Sequence, residues 1–344
     1  MALVVALVLL VSTVVGAALV PTPYVAMRPG QVWPTSDHIE VHGAPSFPPA
    51  ESVAFTTVKT GTATLLEALV GWLDPDTDVV PEETVRGDRS EEENRRYNAA
   101  LMDESKQVAT AVALEVLGED VDVTTDGAIV RVIPEGTPAA EVLERDDVIV
   151  AVDGEAIDEP GELGDLLQPG GPGTEHVLTV ERPPGSDQRV DVPITTIAAP
   201  DDPGRAIIGV AGVQDRFVAF DLPVDVDIDS GEVRGPSAGL AFTLAVIDEL
   251  TPGDLTGSAR VAVTGTMSID GTVGPVGGGA QKAVAVRDDG YDVFLVPPAE
   301  LDEVEEAVGD SVQVIAVSTI DEALEALTAY DGNADEIVAG GAPR

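Results

Sequence analysis

Hydrophobic and polar positions divide this chain into segments of different period. Ala2 to Val20 is apolar, small or hydroxyl-bearing throughout, and the first charged side chain is Arg28. An uncharged stretch of that length predicts a helix able to span a bilayer. Val20 to Pro49 loses this character. Pro21, Pro23, Pro29, Gly30, Pro34, Gly43 and Pro45 predict an extended linker with short strands, such as His38 to His42. Ser52 to Thr60 alternates and is β-branched, which predicts a strand. Leu65, Leu66, Leu69, Val70 and Leu73 recur at helical spacing. After an acidic loop, Ser90 and Glu93 form a capping-box pair. It opens a long helix whose apolar stripe runs from Leu101 and Met102 through Val108, Val112 and Leu114 to Leu117.

From Val121 the texture changes to short strands and turns. Ala128 to Ile133, Val148 to Val152, Val177 to Arg182 and Val190 to Ile197 read as strands. Short helices are predicted after Thr137 and over Leu163 to Leu167. Beyond Pro200, Gly235-Pro236-Ser237-Ala238-Gly239 precedes an apolar helical run from Leu240 to Leu250. A serine at the turn into a helix lies near unpaired backbone N–H groups and the positive end of the dipole, where an oxyanion is stabilised. Taken alone, such a serine is an ordinary N-cap. Downstream, Val261 to Gly265 reads as a strand ending in Thr264-Gly265, Gly271 to Gly279 is glycine-rich, and Lys282 begins another helical run.

Composition narrows the chemistry. The net charge of −44 excludes nucleic acid as a partner, because phosphates would be repelled at every approach. Such acidity fits a salty medium, where charges are screened; a generally acidic composition is the rival reading. There is no cysteine, hence no disulfide, thiol nucleophile or Cys-based zinc site. No metal and no cofactor is expected. The three histidines, His38, His42 and His176, lie outside the segment from Pro200 to Leu327, which argues against a Ser-His-Asp arrangement. Lys occurs only three times, as Lys59, Lys106 and Lys282, and Arg is the usual cation. Arg cannot deprotonate, whereas a desolvated Lys can. To act as a base near neutral pH, Lys282 needs a pKa about two to three units below the reference of about 10.4. Gly274 to Gly279 has the spacing of a phosphate loop, but Ala280 stands where Lys is required. An ATPase module is therefore not expected.

Two resemblances follow from these motifs. Ile133-Pro134-Glu135-Gly136-Thr137-Pro138-Ala139-Ala140 and Leu143 through Asp153-Gly154 resemble a bacterial PDZ domain, with Asp146 where the pattern usually has glycine. The resemblance implies peptide capture by strand addition, in a groove between Ala128, Ile129 and Val130 on one side and Leu163 and Leu167 on the other. A spacer that only restricts access is the alternative. Gly235 to Gly239, then Thr264-Gly265 through Pro275-Val276-Gly277-Gly278 to Lys282, resemble the Lon proteolytic domain. That resemblance implies Ser237 as nucleophile, Lys282 as general base and Thr264 orienting the lysine, with Gly235, Pro236, Ala238 and Gly239 shaping the turn. Arg234 departs from the family, which has an acidic residue there; if it faces the site, its charge lowers the lysine pKa further. Val53 to Lys59, and Met102-Asp103-Glu104-Ser105 leading to Ala109 and Ala113, look like the early strand and helix of the same domain. The strand before the nucleophile is expected over Phe217 to Asp229.

Taken whole, the chain resembles the membrane-anchored, PDZ-containing Lon-like serine proteases. The implied fold is α+β: a Lon-type proteolytic domain with an inserted PDZ domain, a small partly open β-barrel with two helices, preceded by one transmembrane helix. The expected divisions are an anchor (1–22), a linker (23–50), the first part of the Lon-like domain (51–118), the PDZ domain (119–198), the proteolytic core (199–330) and a disordered tail (331–344). A basic start is missing and Gly16-Ala17-Ala18 is a weak cleavage site, so an uncleaved anchor is favoured over a signal peptide. The implied protein is a single-pass cell-membrane enzyme with its catalytic part extracytoplasmic. It would cleave protein or peptide substrates without ATP, and a homo-oligomeric ring is the assembly common in the family. The rivals are a catalytically silent PDZ/Lon-like scaffold and a tethered assembly factor.

Overall fold

The computed structural model describes residues 2–340 apart from 51, 88, 183–187 and 211. The chain forms two compact units, Met1–Asp120 with Leu222–Arg344, and Val121–Asp221, so the second is inserted in the sequence of the first. The first unit begins with α1 (Ala2–Leu19), β1 (Pro21–Pro34), β2 (Ile39–His42), β3 (Ala54–Thr64), α2 (Leu65–Gly71), β4 (Asp78–Pro81) and α3 (Glu91–Val116). The inserted unit contains β5 (Asp122–Val132), α4 (Pro138–Val142), β6 (Val148–Val152), α5 (Glu162–Leu166), β7 (Glu175–Glu181), β8 (Arg189–Thr195) and β9 (Gly212–Asp221). The first unit resumes with β10 (Asp225–Ile228), α6 (Gly239–Leu250), β11 (Val261–Val263), α7 (Gly279–Asp288), β12 (Val293–Val296), α8 (Leu301–Val308), β13 (Gln313–Ala316), α9 (Ile320–Leu327) and α10 (Ala334–Gly340).

The main sheet has the order β13-β12-β11-β3-β1-β4. Its first four strands run parallel and the rest antiparallel. β11 and β12 read Val-Ala-Val and Val-Phe-Leu-Val and are wholly buried, as central parallel strands covered on both faces must be. Ala283 and Val286 of α7 and Val304 and Val308 of α8 pack against Ala54, Ala262, Phe294 and Val296 of the sheet. α6 is buried along almost its whole length, which its apolar sequence on every side requires. The end of β11 thereby delivers Thr264 and Gly265 to the start of α6. α3 opens with the predicted capping box: the Ser90 hydroxyl accepts from the Glu93 N–H, and the Glu93 carboxylate accepts from the Ser90 N–H at 2.8 Å. A cap of this kind is worth about 1 kcal/mol.

The amino-terminal expectations are corrected. α1 has 18 residues and an exposed apolar surface. At 1.5 Å per residue it rises about 27 Å, short of the roughly 30 Å of hydrocarbon. The chain then turns at Val20 into β1. Among the described residues no helix is long and apolar enough to cross a membrane. The transmembrane helix, and the single-pass placement with an extracytoplasmic catalytic part that depended on it, are withdrawn. The segment read as a linker instead supplies β1, which pairs with both β3 and β4. Its prolines fit because the register slips between Pro21 and Val25 and between Pro29 and Val32, the places where a strand tolerates a missing N–H. At Gly30 a side chain would collide with the Thr57 carbonyl.

The inserted unit has the sheet order β9-β5-β6-β7-β8 over a core of Ile149, Leu178, Val180, Ile194 and their neighbours. The strand expected over Phe217 to Asp229 is two strands. β9 pairs with β5 inside this unit, and β10 pairs with β2 in the other. The compact unit thus extends past residue 198, to Asp221. Asp146 adopts φ 67°, which explains why the resembled pattern has glycine there; its carboxylate pairs with Arg131 at 2.7 Å. In the tail, α10 begins at the buried Ala334, and Asn333 just before it donates its Nδ2 to the Pro252 carbonyl at 2.9 Å. The expected disorder is therefore not seen there, and residues 341–344 lie outside the described residues.

Candidate active site

Ser237 is half-buried in a single 3-10 turn, Pro236–Ala238, that runs directly into α6. The turn is bonded from two sides. On one side, the Gly265 N–H and the Thr264 hydroxyl both donate to the Ser237 carbonyl, at 3.0 and 3.1 Å, and the Leu240 N–H donates back to the Gly265 carbonyl at 3.1 Å. On the other side, α3 accepts the Gly235 N–H on the Asn98 carbonyl at 2.9 Å, and Ser105 Oγ donates to the Pro236 carbonyl at 3.3 Å. Gly235 has φ 94°, a conformation that L side chains rarely adopt. A Cβ on Gly239 would lie 2.8 Å from the Met267 nitrogen, so glycine lets the start of α6 approach that backbone. Pro236 and Ala238 complete the turn, Ala238 being buried.

Lys282 projects from the first turns of α7, whose N-cap Gly278 has φ 69°. Only 1% of its surface is exposed. Its Nζ donates to Thr264 Oγ1 at 3.0 Å. Burial disfavours the ammonium and takes the pKa down to about 7, against the opposing pull of Glu300 and Glu303. The Thr264 hydroxyl therefore lies between the lysine amine and the serine backbone, and the structure brings Ser237, Thr264 and Lys282 into one cluster. An amine with a pKa near 7, linked through the Thr264 hydroxyl to the Ser237 carbonyl at a helix start, can act as a base at neutral pH.

Arg234 does not join this cluster. It is exposed, its nearest hydrogen bond is to the Glu232 carbonyl at 3.5 Å, and it is not among the groups acting on Lys282. The expected peptide groove also needs correction. Ala128, Val130, Leu163 and Leu167 are core residues of the inserted unit. β5 is flanked on both sides: Ala128 and Ile129 pair with Ile149 and Val148 of β6, and Val130, Ile129 and Ala128 pair with Val213, Gln214 and Asp215 of β9. A strand cannot be added where two are already paired. The residues that sequence reading missed are Asn98, Glu300 and Glu303. All three act through backbone N–H or C=O groups far away in the chain, which leaves no local signal.

Parts of the chain are similar to known proteins. Residues 211–329 match the family model of the Lon protease (S16) C-terminal proteolytic domain, and residues 129–182 match a PDZ domain model. The Lon protease of Clostridioides difficile strain 630 is 35% identical over 137 residues, 38% of this chain and 17% of that protein. The Lon protease of Vibrio parahaemolyticus is 35% identical over 114 residues, 32% of this chain and 14% of that protein. The alignments thus span about one-sixth of those relatives' length. The PDZ domain of an SdrC-like protein from Listeria monocytogenes is 25% identical over 26% of this chain and 90% of that one, with a TM-score of 0.23. The chain carries a Lon-type proteolytic domain and a PDZ domain.

Proposed function

We propose that this chain is an ATP-independent endopeptidase that hydrolyses flexible polypeptide through a Ser237–Lys282 dyad. The observation that carries the reading is the buried Lys282 amine, its pKa near 7, bonded to the Thr264 hydroxyl that also holds the Ser237 carbonyl. Neutral Lys282 takes the Ser237 proton, and Ser237 Oγ attacks the substrate carbonyl. Backbone N–H groups of the 3-10 turn that carries Ser237, just before α6, receive the oxyanion. The Lys282 ammonium returns the proton to the leaving amine. The freed lysine then activates the water that cleaves the acyl-enzyme.

ATP independence rests on Ala280, which follows the glycine-rich loop where a phosphate site needs lysine. Without powered unfolding, the substrates are chains already flexible. In the inserted unit, peptide capture falls to β9, an edge strand of the sheet, whose Val213 and Val218 are exposed. The Gly161 N–H at the start of α5 donates to Asp215 of β9 at 3.0 Å, so that helix lies alongside the strand.

A serine-reactive fluorophosphonate tests the dyad without a known substrate. Mass spectrometry should find the adduct on Ser237, forming faster as pH rises through 7 and at least a hundredfold more slowly in Lys282→Ala. Labelling at an unchanged rate in that variant overturns the reading.

A further inference from the structure

Two carboxylates converge on the first turn of the lysine helix. Gly279 lies three residues before Lys282 and has no Cβ. The space that a Cβ would fill is taken by the Glu303 carboxylate, with the Glu300 Cγ 3.2 Å away. Glu303 accepts from the Gly279 and Ala280 N–H groups, at a helix N-terminus that favours negative charge. Glu300 is only 5% exposed. Its Oε1 accepts from the Val276 N–H at 2.9 Å, while its Oε2 is buried with no hydrogen-bond partner among the described residues. Leaving a buried carboxylate oxygen unpaired is costly. A glutamine amide would serve the Val276 N–H equally well, so the backbone contact alone does not account for a carboxylate here.

Taking Lys282 as the general base, we infer that Glu300 and Glu303 are its counter-charge: they stabilise the ammonium formed when it takes the Ser237 proton, and so set the pH below which the site is silent. Burial pushes Lys282 towards its neutral form, and these two carboxylates are the groups that pull the other way. The neighbouring strands offer no substitute. Arg28 of β1 is paired with Glu67, Lys59 of β3 is exposed, and Asp78 of β4 acts on Glu303. Without the carboxylates the amine would be neutral at lower pH but a weaker base, since proton affinity and base strength fall together.

The chain has three lysines, so isotope-labelled lysine in the full chain gives three side-chain NMR signals, and Lys282→Arg identifies one of them. In Glu300→Gln and Glu303→Gln, which keep an amide oxygen as backbone acceptor, the Lys282 titration midpoint should fall by about one pH unit. The acid limb of the pH–rate profile should fall with it. Midpoints unchanged in both variants would show two helix anchors and overturn the inference. A lowered midpoint with an unmoved acid limb would uphold the counter-charge and reject Lys282 as the base. If Glu300→Gln loses its fold, the more exposed Glu303→Gln decides the matter.

Discussion

Lys282 Nζ and Thr264 Oγ1 lie 3.0 Å apart in the buried heart of the proteolytic domain. Thr264→Val keeps the volume and removes the acceptor, which frees the amine to rotate. The variant should lose about 10- to 100-fold in kcat with KM nearly unchanged, since small errors of placement cost rate and not binding. Thr264→Ser should keep most of the activity. Steady-state kinetics on one peptide substrate checks both.

The serine turn depends on α3 as much as on its own sequence. Ser105→Ala removes the 3.3 Å bond to the Pro236 carbonyl. It should lower kcat about 3- to 10-fold and stability by about 1 kcal/mol, read from the same kinetics and from urea unfolding.

Gly235 is required by its backbone and not by space, since the nearest atom to an added Cβ is Asn98 Oδ1 at 3.5 Å. With φ at 94°, Gly235→Ala should cost about 1–3 kcal/mol and misplace Ser237. Thermal unfolding should show a lowered Tm, and activity should fall further than stability does.

Two buried groups give opposite dependences of stability on pH. Lys282 has a folded pKa of about 7, below the unfolded value of about 10.4. The unfolded chain therefore binds more protons between those limits, and stability gains as pH rises from 7 to 10. Asp248 is raised to about 7 by burial, with further push from Asp254 and Glu249. Here the folded chain binds more protons between about 4 and 7, so the stability due to this group is lost as pH rises through 7. Asp248 Oδ1 accepts from the Leu255 N–H at 2.9 Å, and Oδ2 is buried without a partner among the described residues. Asp248→Asn keeps the first contact and removes the charge. It should raise Tm at pH 8 and change it little at pH 5. An equal effect at both values would show that the carboxyl does not titrate in this window.

The sequence made local chemistry legible and tertiary chemistry much less so. The Ser90–Glu93 cap, the glycines around Ser237 and the lysine in a lysine-poor chain carry their reasons in neighbouring residues. β1 was hidden because its prolines read as linker, and only pairing with β3 and β4 makes it a strand. β9 was merged with β10 into one expected strand because its partner β5 lies about 90 residues earlier, at the other end of the insertion, as in the pairing of Asp215 with Ala128. α1 was read as a membrane span from its apolar composition, while its length in the fold is fixed by the turn into β1. Glu300 and Glu303 follow a proline turn at helical spacing and look like surface residues until α7 packs beside them.

The central claim is tested most directly by hydrolysis of an unfolded protein by the full chain without nucleotide, beside Ser237→Ala and Lys282→Ala. The account predicts cleavage by the parent, unchanged on adding ATP, and a loss of at least a thousandfold in each variant. Cleavage that persists in either variant, or an inert parent even with peptides offered to the PDZ unit, would contradict it.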